Sequence, residues 1–298
     1  MEDINGDIMY MICCFLSCYN MLKIRLICKK INEYIIHNRK NMIKHSFILN
    51  TKIKSLKFIE KLPYKILNLK LNKNSYLGDE DFEYLRGIKI LDISDCNKIS
   101  DRAFENLVGI KILNMNNCNQ KTITDRAFKY LKGIIILKMN NCNQDTITDK
   151  AFKNLKGIHT LYMNNCHQKT ITDKTFEYLR DIHTLEISSC SKMITDKAFE
   201  NLKGIRVLNM SHCQQETITD KAFENLKGIY SLDMSICSQK TITNKAFENL
   251  EGIKYIDVGI CTQNTISDEI YNKYDKMPSY YHSYLYLNNI HNNIIDTL

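Results

Sequence analysis

LNMNNCNQKTITDRAFKYLKGI, residues 113–134, is followed almost at once by LKMNNCNQDTITDKAFKNLKGI, residues 137–158. Self-similarity at a short fixed period marks a repeat array. The thread through it is a cysteine. Cys96, Cys118, Cys142, Cys166, Cys190, Cys213, Cys237 and Cys261 recur at spacings of 22, 24, 24, 24, 23, 24 and 24 residues, and Asn74 stands 22 residues before the first of them. The ladder gives nine copies, with variants at both ends.

Each part of a copy has a mechanical reading. Leu113-Asn-Met115 alternates apolar and polar residues, the period of a strand with one buried face. A polar loop follows the cysteine and leads into Ile123-Thr124-Asp125. Thr and Asp suit a helix start, and an acid in the first turn complements the helix dipole. Ala127, Phe128 and Leu131 then form one inward stripe. Gly87, Gly109, Gly133, Gly157, Gly204, Gly228 and Gly252 end the helices, with Asp181 once in their place. A left-handed backbone is expected there, which Gly adopts freely and Asp tolerates. No copy can bury its own strand face and helix stripe, so copies must stack. The expected fold is an α/β solenoid, a horseshoe with a parallel sheet on the concave face and short helices outside.

Of 298 residues, 44% are hydrophobic, and the net charge is +8. Lys23 to Lys57 holds ten Lys/Arg and one acid, Glu33, a local +9, so the remainder sums to −1. The basic character belongs to the N-terminal segment and the repeat body is balanced. The opening MEDINGD is acidic where a signal peptide is basic, and the apolar stretch after it is too short to cross a membrane. The expectation is an intracellular chain, cytoplasmic or nuclear, with reduced thiols and no membrane partner. None of the eight ladder cysteines has the C-x2-C pairing of a zinc site, so each is read as a buried corner residue. Cys13, Cys14 and Cys18 are read as packing residues. The histidines, among them His159, His183 and His212, have no companion nucleophile or paired acid. The glycines are helix stops, not nucleotide loops. The sequence points to a protein that is not an enzyme, with no catalytic residues, no metal and no cofactor.

The string L-x-M-x-x-C, a short loop, then ITD-x-A-F-x-x-L-x-G-I closely resembles the cysteine-containing class of leucine-rich repeats, over roughly residues 66–268. That family most often carries its repeats behind an F-box. Residues 4–35 here have apolar positions at helical intervals with a break at Ser17–Asn20, and they resemble one. Ile4-Asn5 and Asp7-Ile8 stand where the family has Leu-Pro, then an acid and an apolar residue. Leu16 matches the mid-box Leu. Leu22 to Ile31, with Arg25, Leu26, Ile27, Cys28, Lys29 and Lys30 in register, matches its L-x-x-L-R-x-V-C run. The Pro and the terminal Trp are absent, and Ile31 replaces an aromatic.

The resemblance implies the substrate receptor of an SCF-type, cullin-based ubiquitin ligase, monomeric outside the complex. Ile4, Ile8, Ile12, Leu16, Leu22, Leu26 and Ile27 would dock the ligase adaptor subunit, and the repeats would hold an unknown protein substrate. If the chain comes from a virus or parasite, the ligase would be the host's. The alternative is a stand-alone scaffold with a vestigial F-box. The basic segment fits the family's acidic adaptor, or it is simply a solvated helix face. A nucleic-acid partner is set aside, because only Tyr34, Phe47 and Phe58 accompany those cations and stacking rings are wanted. The implied organisation is an F-box-like domain at 1–45, a linker or N-terminal cap at 46–65, repeats at 66–268 and a Tyr-rich cap at 269–298. A tail folding back over the concave face is the alternative to that cap.

Three outward rows would line the concave face. In the first, Ile90, Ile112 and Ile136 are expected to form an exposed apolar stripe, the mark of a contact site. Coding bias and strand propensity are the competing reading of those isoleucines. Lys138, Tyr162 and Glu186, in the second row, would set specificity. The third row is nearly all Asn or Ser.

Overall fold

The computed structural model describes residues 47–48, 53–61, 68–190, 193–259, 261 and 265–274. The F-box-like segment, with Ile4, Ile8, Ile12, Leu16, Leu22, Leu26 and Ile27, lies outside the described residues, as does the tail beyond Tyr274. One parallel sheet of ten strands in sequence order organises the rest. The strands are β1 (Phe47–Ile48), β2 (Asn68–Lys70), β3 (Ile90–Asp92), β4 (Ile112–Asn114), β5 (Ile136–Lys138), β6 (Thr160–Tyr162), β7 (Thr184–Glu186), β8 (Val207–Asn209), β9 (Ser231–Asp233) and β10 (Tyr255–Asp257). The chain is an α/β solenoid of leucine-rich-repeat type. Its sheet starts one strand before the first copy read from the sequence, because Phe47 pairs in register with Leu69.

Register is kept at every step: Leu91, Leu113, Leu137, Leu161, Leu185, Leu208 and Leu232 lie side by side. The single 23-residue spacing is therefore absorbed outside the strands. Between strands the helices are short. Asp125–Phe128 is one α-helical turn, continued as a 3-10 turn over Lys129–Leu131. A unit of about 24 residues has no room for more. Thr124 caps its helix by accepting from the Arg126 N–H at 3.2 Å. Gly133 has φ +80, and Asp181, its one replacement, has φ +68.

Between sheet and helices runs one continuous core of the strand leucines, the Met or Ile two residues on, and a row of phenylalanines from Phe82 to Phe247. The corner residue before each cysteine is left-handed: φ is +61 at Asn117, +60 at Asn141 and +57 at Asn165. Asn accepts that backbone better than most residues, which gives these asparagines a local conformational role. Ile236 takes the same place at φ +59, where a β-branched side chain is strained.

Three side-chain ladders tie copy to copy. Each ladder cysteine donates its thiol to a carbonyl of the preceding copy, such as Cys118 to Ile93 O at 3.2 Å and Cys142 to Met115 O at 3.2 Å. Asn74, in the same register, donates to Ile53 O at 3.0 Å. The hydroxyls of Thr146 and Thr170 reach the carbonyls of Ile123 and Ile147. The third ladder was not foreseen. The Asp that opens each helix accepts from the backbone N–H and the hydroxyl of the next copy's capping Thr, at 2.7 and 2.8 Å for Asp125 with Thr148. The same clamp joins Asp101 to Thr124 and Asp220 to Thr243. Asn244 holds Ser267 likewise, but its amide donates to the hydroxyl.

Candidate functional site

The first outward row does not form the exposed stripe expected of it. Ile90, Ile112 and Ile136 are adjacent, but only 7%, 4% and 3% exposed, and Ile135 and Tyr162 pack against them as a small apolar cluster separate from the main core. Strands stand about 4.8 Å apart, so in-register branched side chains cover one another. Thr160, Thr184, Val207 and Ser231 continue the row and are buried too.

The second row faces outward selectively, and hydrogen bonding at the strand ends explains where. Each strand end leaves a backbone N–H in the third row that needs an acceptor. At most positions the second-row residue of the same strand supplies it. Asp92 accepts from Ser94 N–H at 2.9 Å, Asn209 from Ser211 at 3.0 Å, and Asp233 from Ser235 at 3.0 Å. Over β5, β6 and β7 the acceptor changes. Asn116 accepts from the Asn140 N–H, Asn140 from Asn164, and Asn164 from Ser188, each at 2.8 Å. The third row thus caps those three strands across the copies. The second-row residues there, Lys138, Tyr162 and Glu186, do not cap their own strands.

Those three side chains lie on successive strands in register. Lys138 Nζ sits 5.1 Å from the centre of the Tyr162 ring. Asn164 donates to Glu186 at 2.7 Å. Burial raises the Glu186 carboxyl above the usual carboxylate range, while the Asn164 amide and Lys138 pull it back down. Burial, then the Glu186 charge, raises the Tyr162 phenol. The result is a cation, a ring and a carboxylate in a line, all half-buried. Such a group suits recognition of a polar surface with an aromatic anchor.

The cysteine ladder is built as expected of corner residues. Cys96, Cys118, Cys142, Cys166, Cys213 and Cys237 stand as thiols outside any disulfide. Burial pushes Cys96 up to about 11 and Cys118, Cys166 and Cys213 up to about 12. A raised pKa starves the thiolate, the reactive form, at neutral pH. Native protein given iodoacetamide at pH 8 will therefore leave the seven buried ladder cysteines unmodified by peptide mapping, and denaturant will open all of them. Rapid labelling of Cys118 or Cys166 in folded protein would contradict this. Among the described residues, no trio of His, Cys, Asp or Glu is placed to hold a metal ion, and no helix is long and apolar enough to cross a membrane.

What the sequence reading missed was the Asp–Thr clamp and the switch of strand capping. A signal for the clamp was present: Thr or Ser precedes the acid in nearly every copy, and Asn244 is followed one copy later by Ser267 in place of Thr.

Comparison with known proteins bears on the fold. The profile of the BspA-type leucine-rich repeat region matches in six copies, over residues 51–169 and 169–285. No curated protein matches in sequence. Among solved structures, a leucine-rich-repeat protein of Leptospira interrogans superposes with a TM-score of 0.60 at 17% identity, over 73% of this chain and 55% of that one. Toll, from the Drosophila Toll–Spatzle complex, gives 0.54 at 17%, over 70% of this chain and 32% of that one. TLR13, from its complex with ssRNA13, gives 0.55 at 20%, over 76% and 34%. This chain thus spans about a third to just over half of those relatives' length, and identities this low speak for the fold alone.

Proposed function

The chain belongs to the BspA-type leucine-rich repeat family, and from that premise we propose a protein-binding scaffold that contributes no catalysis of its own. Its contact surface is the outward sheet face centred on Lys138, Tyr162 and Glu186. The observation that carries this reading is the capping switch, which leaves these three side chains on adjacent strands with no strand end to cap while their neighbours remain tied to their own strand ends. The fold supports it, since stacked repeats of this kind offer extended binding faces.

The finer reading is a substrate receptor of an SCF-type ubiquitin ligase, working in the cytoplasm or nucleus as a monomer outside the complex. Residues 1–45 would dock the adaptor subunit through Ile4, Ile8, Ile12, Leu16, Leu22, Leu26 and Ile27. Its support is the F-box-like register of Leu22 to Ile31 and the charge of Lys23–Lys57. The absent Pro and Trp favour the alternative, a scaffold that binds without the ligase.

Purification of the full chain from cells tests both levels. Lys138→Glu combined with Tyr162→Ala is expected to lose the protein held by the wild type, with affinity down at least about 30-fold, the effect of removing a central anchor of ~2 kcal/mol. Unchanged capture by a variant that melts like wild type removes this face from consideration. Absence of the ligase adaptor alongside a retained partner selects the stand-alone scaffold. The isoleucines are unsuitable probes, since a charge placed at buried Ile112 or Ile136 would disrupt folding.

A further inference from the structure

Each copy enters its strand through a four-residue turn, from residues 86–89 before β3 to 251–254 before β10. The last residues of these turns form a backbone ladder of their own. Lys111 N–H donates to Lys89 O, His183 N–H to His159 O, Arg206 N–H to His183 O and Tyr230 N–H to Arg206 O. Seven steps of strand spacing carry this row over roughly 30 Å along one rim of the sheet.

The rim is where the repeat body concentrates positive charge. The eight turns hold ten Lys/Arg and two acids, Asp181 and Glu251, a net +8 with His neutral, whereas the chain outside Lys23–Lys57 sums to −1. Helix ends favour cations, which accounts for part of this. The partners do not neutralise it. Lys89, Lys111 and Arg206 donate to the neutral carbonyls of Gly109, Gly133 and Gly228. Among the described residues none of these turn cations is held in an ion pair.

Rings join the charge from His159 onward. His159 and His183 stack face to face, with centroids 4.3 Å apart and planes at 11°. Arg206 lies 5.7 Å from the Tyr230 ring, which meets Tyr255 edge-on at 5.3 Å. A long row of cations with flat rings in its second half meets the two needs of an unpaired nucleic-acid strand, phosphate neutralisation and base stacking. An acidic protein would use the charge but not the rings. The rings missing around the N-terminal basic segment are supplied here by separate copies.

We infer that this rim is a second binding surface, distinct from the Lys138–Tyr162–Glu186 face, and that it takes single-stranded nucleic acid. The probe is a fluorescent 20-nucleotide oligodeoxythymidine, titrated with the full chain at several salt concentrations and followed by anisotropy. The strand is expected to bind more tightly than its duplex with oligodeoxyadenosine. Lys111→Glu with Arg206→Glu is expected to weaken binding at least 10-fold and to flatten the salt dependence by at least about 1.4 in log–log slope, ~0.7 per lost phosphate contact. His183→Ala with Tyr230→Ala is expected to weaken it about 5-fold or more with the slope unchanged, the mark of lost stacking. If either pair lowers thermal stability, Lys156→Glu with Lys227→Glu repeats the charge test at exposed side chains. Binding that survives every rim variant belongs to Lys23–Lys57 and overturns the proposal. So does equal affinity for duplex, the absence of binding at low salt, or displacement of the strand by polyglutamate at matched charge, which would mark the rim as a face for an acidic protein.

Discussion

Phe152→Ala is expected to lower stability by about 3–5 kcal/mol, the cost of emptying a fully buried aromatic site. Phe152 has no exposed surface, and its ring centroid is 6.1 Å from that of Phe128 in the preceding copy. The cavity would open between two copies, where each touches only its neighbours. A compact domain can partly collapse into a void, but a solenoid held in register by its sheet has little freedom to do so. The defect should also divide the array. Urea unfolding followed by circular dichroism is expected to show a lower midpoint and a broadened or split transition. Phe247→Ala, at the C-terminal end of the phenylalanine row, is expected to fray the array without dividing it and so to cost less. A loss below about 1 kcal/mol at Phe152 would contradict the stacked core.

Asp149→Ala should be nearly as damaging, although the residue is polar and only half-buried. Its carboxylate accepts from the Thr172 N–H at 2.8 Å, the Thr172 hydroxyl at 2.8 Å and the Thr175 hydroxyl at 2.7 Å. Hydrogen bonds to a charged group contribute more than neutral ones, and removal strands the Thr172 N–H. The expected loss is about 2–4 kcal/mol. Asp149→Asn is the informative partner. It keeps an acceptor for the backbone and can donate to the hydroxyl, the arrangement already present between Asn244 and Ser267. Its expected cost is about 1 kcal/mol or less. Equal losses for Ala and Asn would mean that the charge, through the helix dipole, matters more than the clamp.

Legibility followed the range of the physics. Gly133, Thr124 and the alternation at Leu113–Met115 act within a few residues, so their roles could be read directly and the structure agrees with them. The row containing Lys138, Tyr162 and Glu186 was legible from the same alternation. That these three are freed from strand capping was not, because the residues that free them, Asn116, Asn140 and Asn164, stand about one copy away.

The isoleucines show the boundary most plainly. Alternation correctly turned Ile90, Ile112 and Ile136 to the face opposite the leucines, and it suggested exposure. Only the stacked sheet decided that they are covered, because burial there comes from identical neighbours in the next copies. The Asp–Thr clamp and the cationic rim have the same origin. By itself the sequence determined the repeat, its period, its caps and the inward residues of each unit, since one turn of chain settles these. The tertiary structure decided which outward residues remain available to a partner, since lateral stacking at about 4.8 Å converts every position of the repeat into a continuous row.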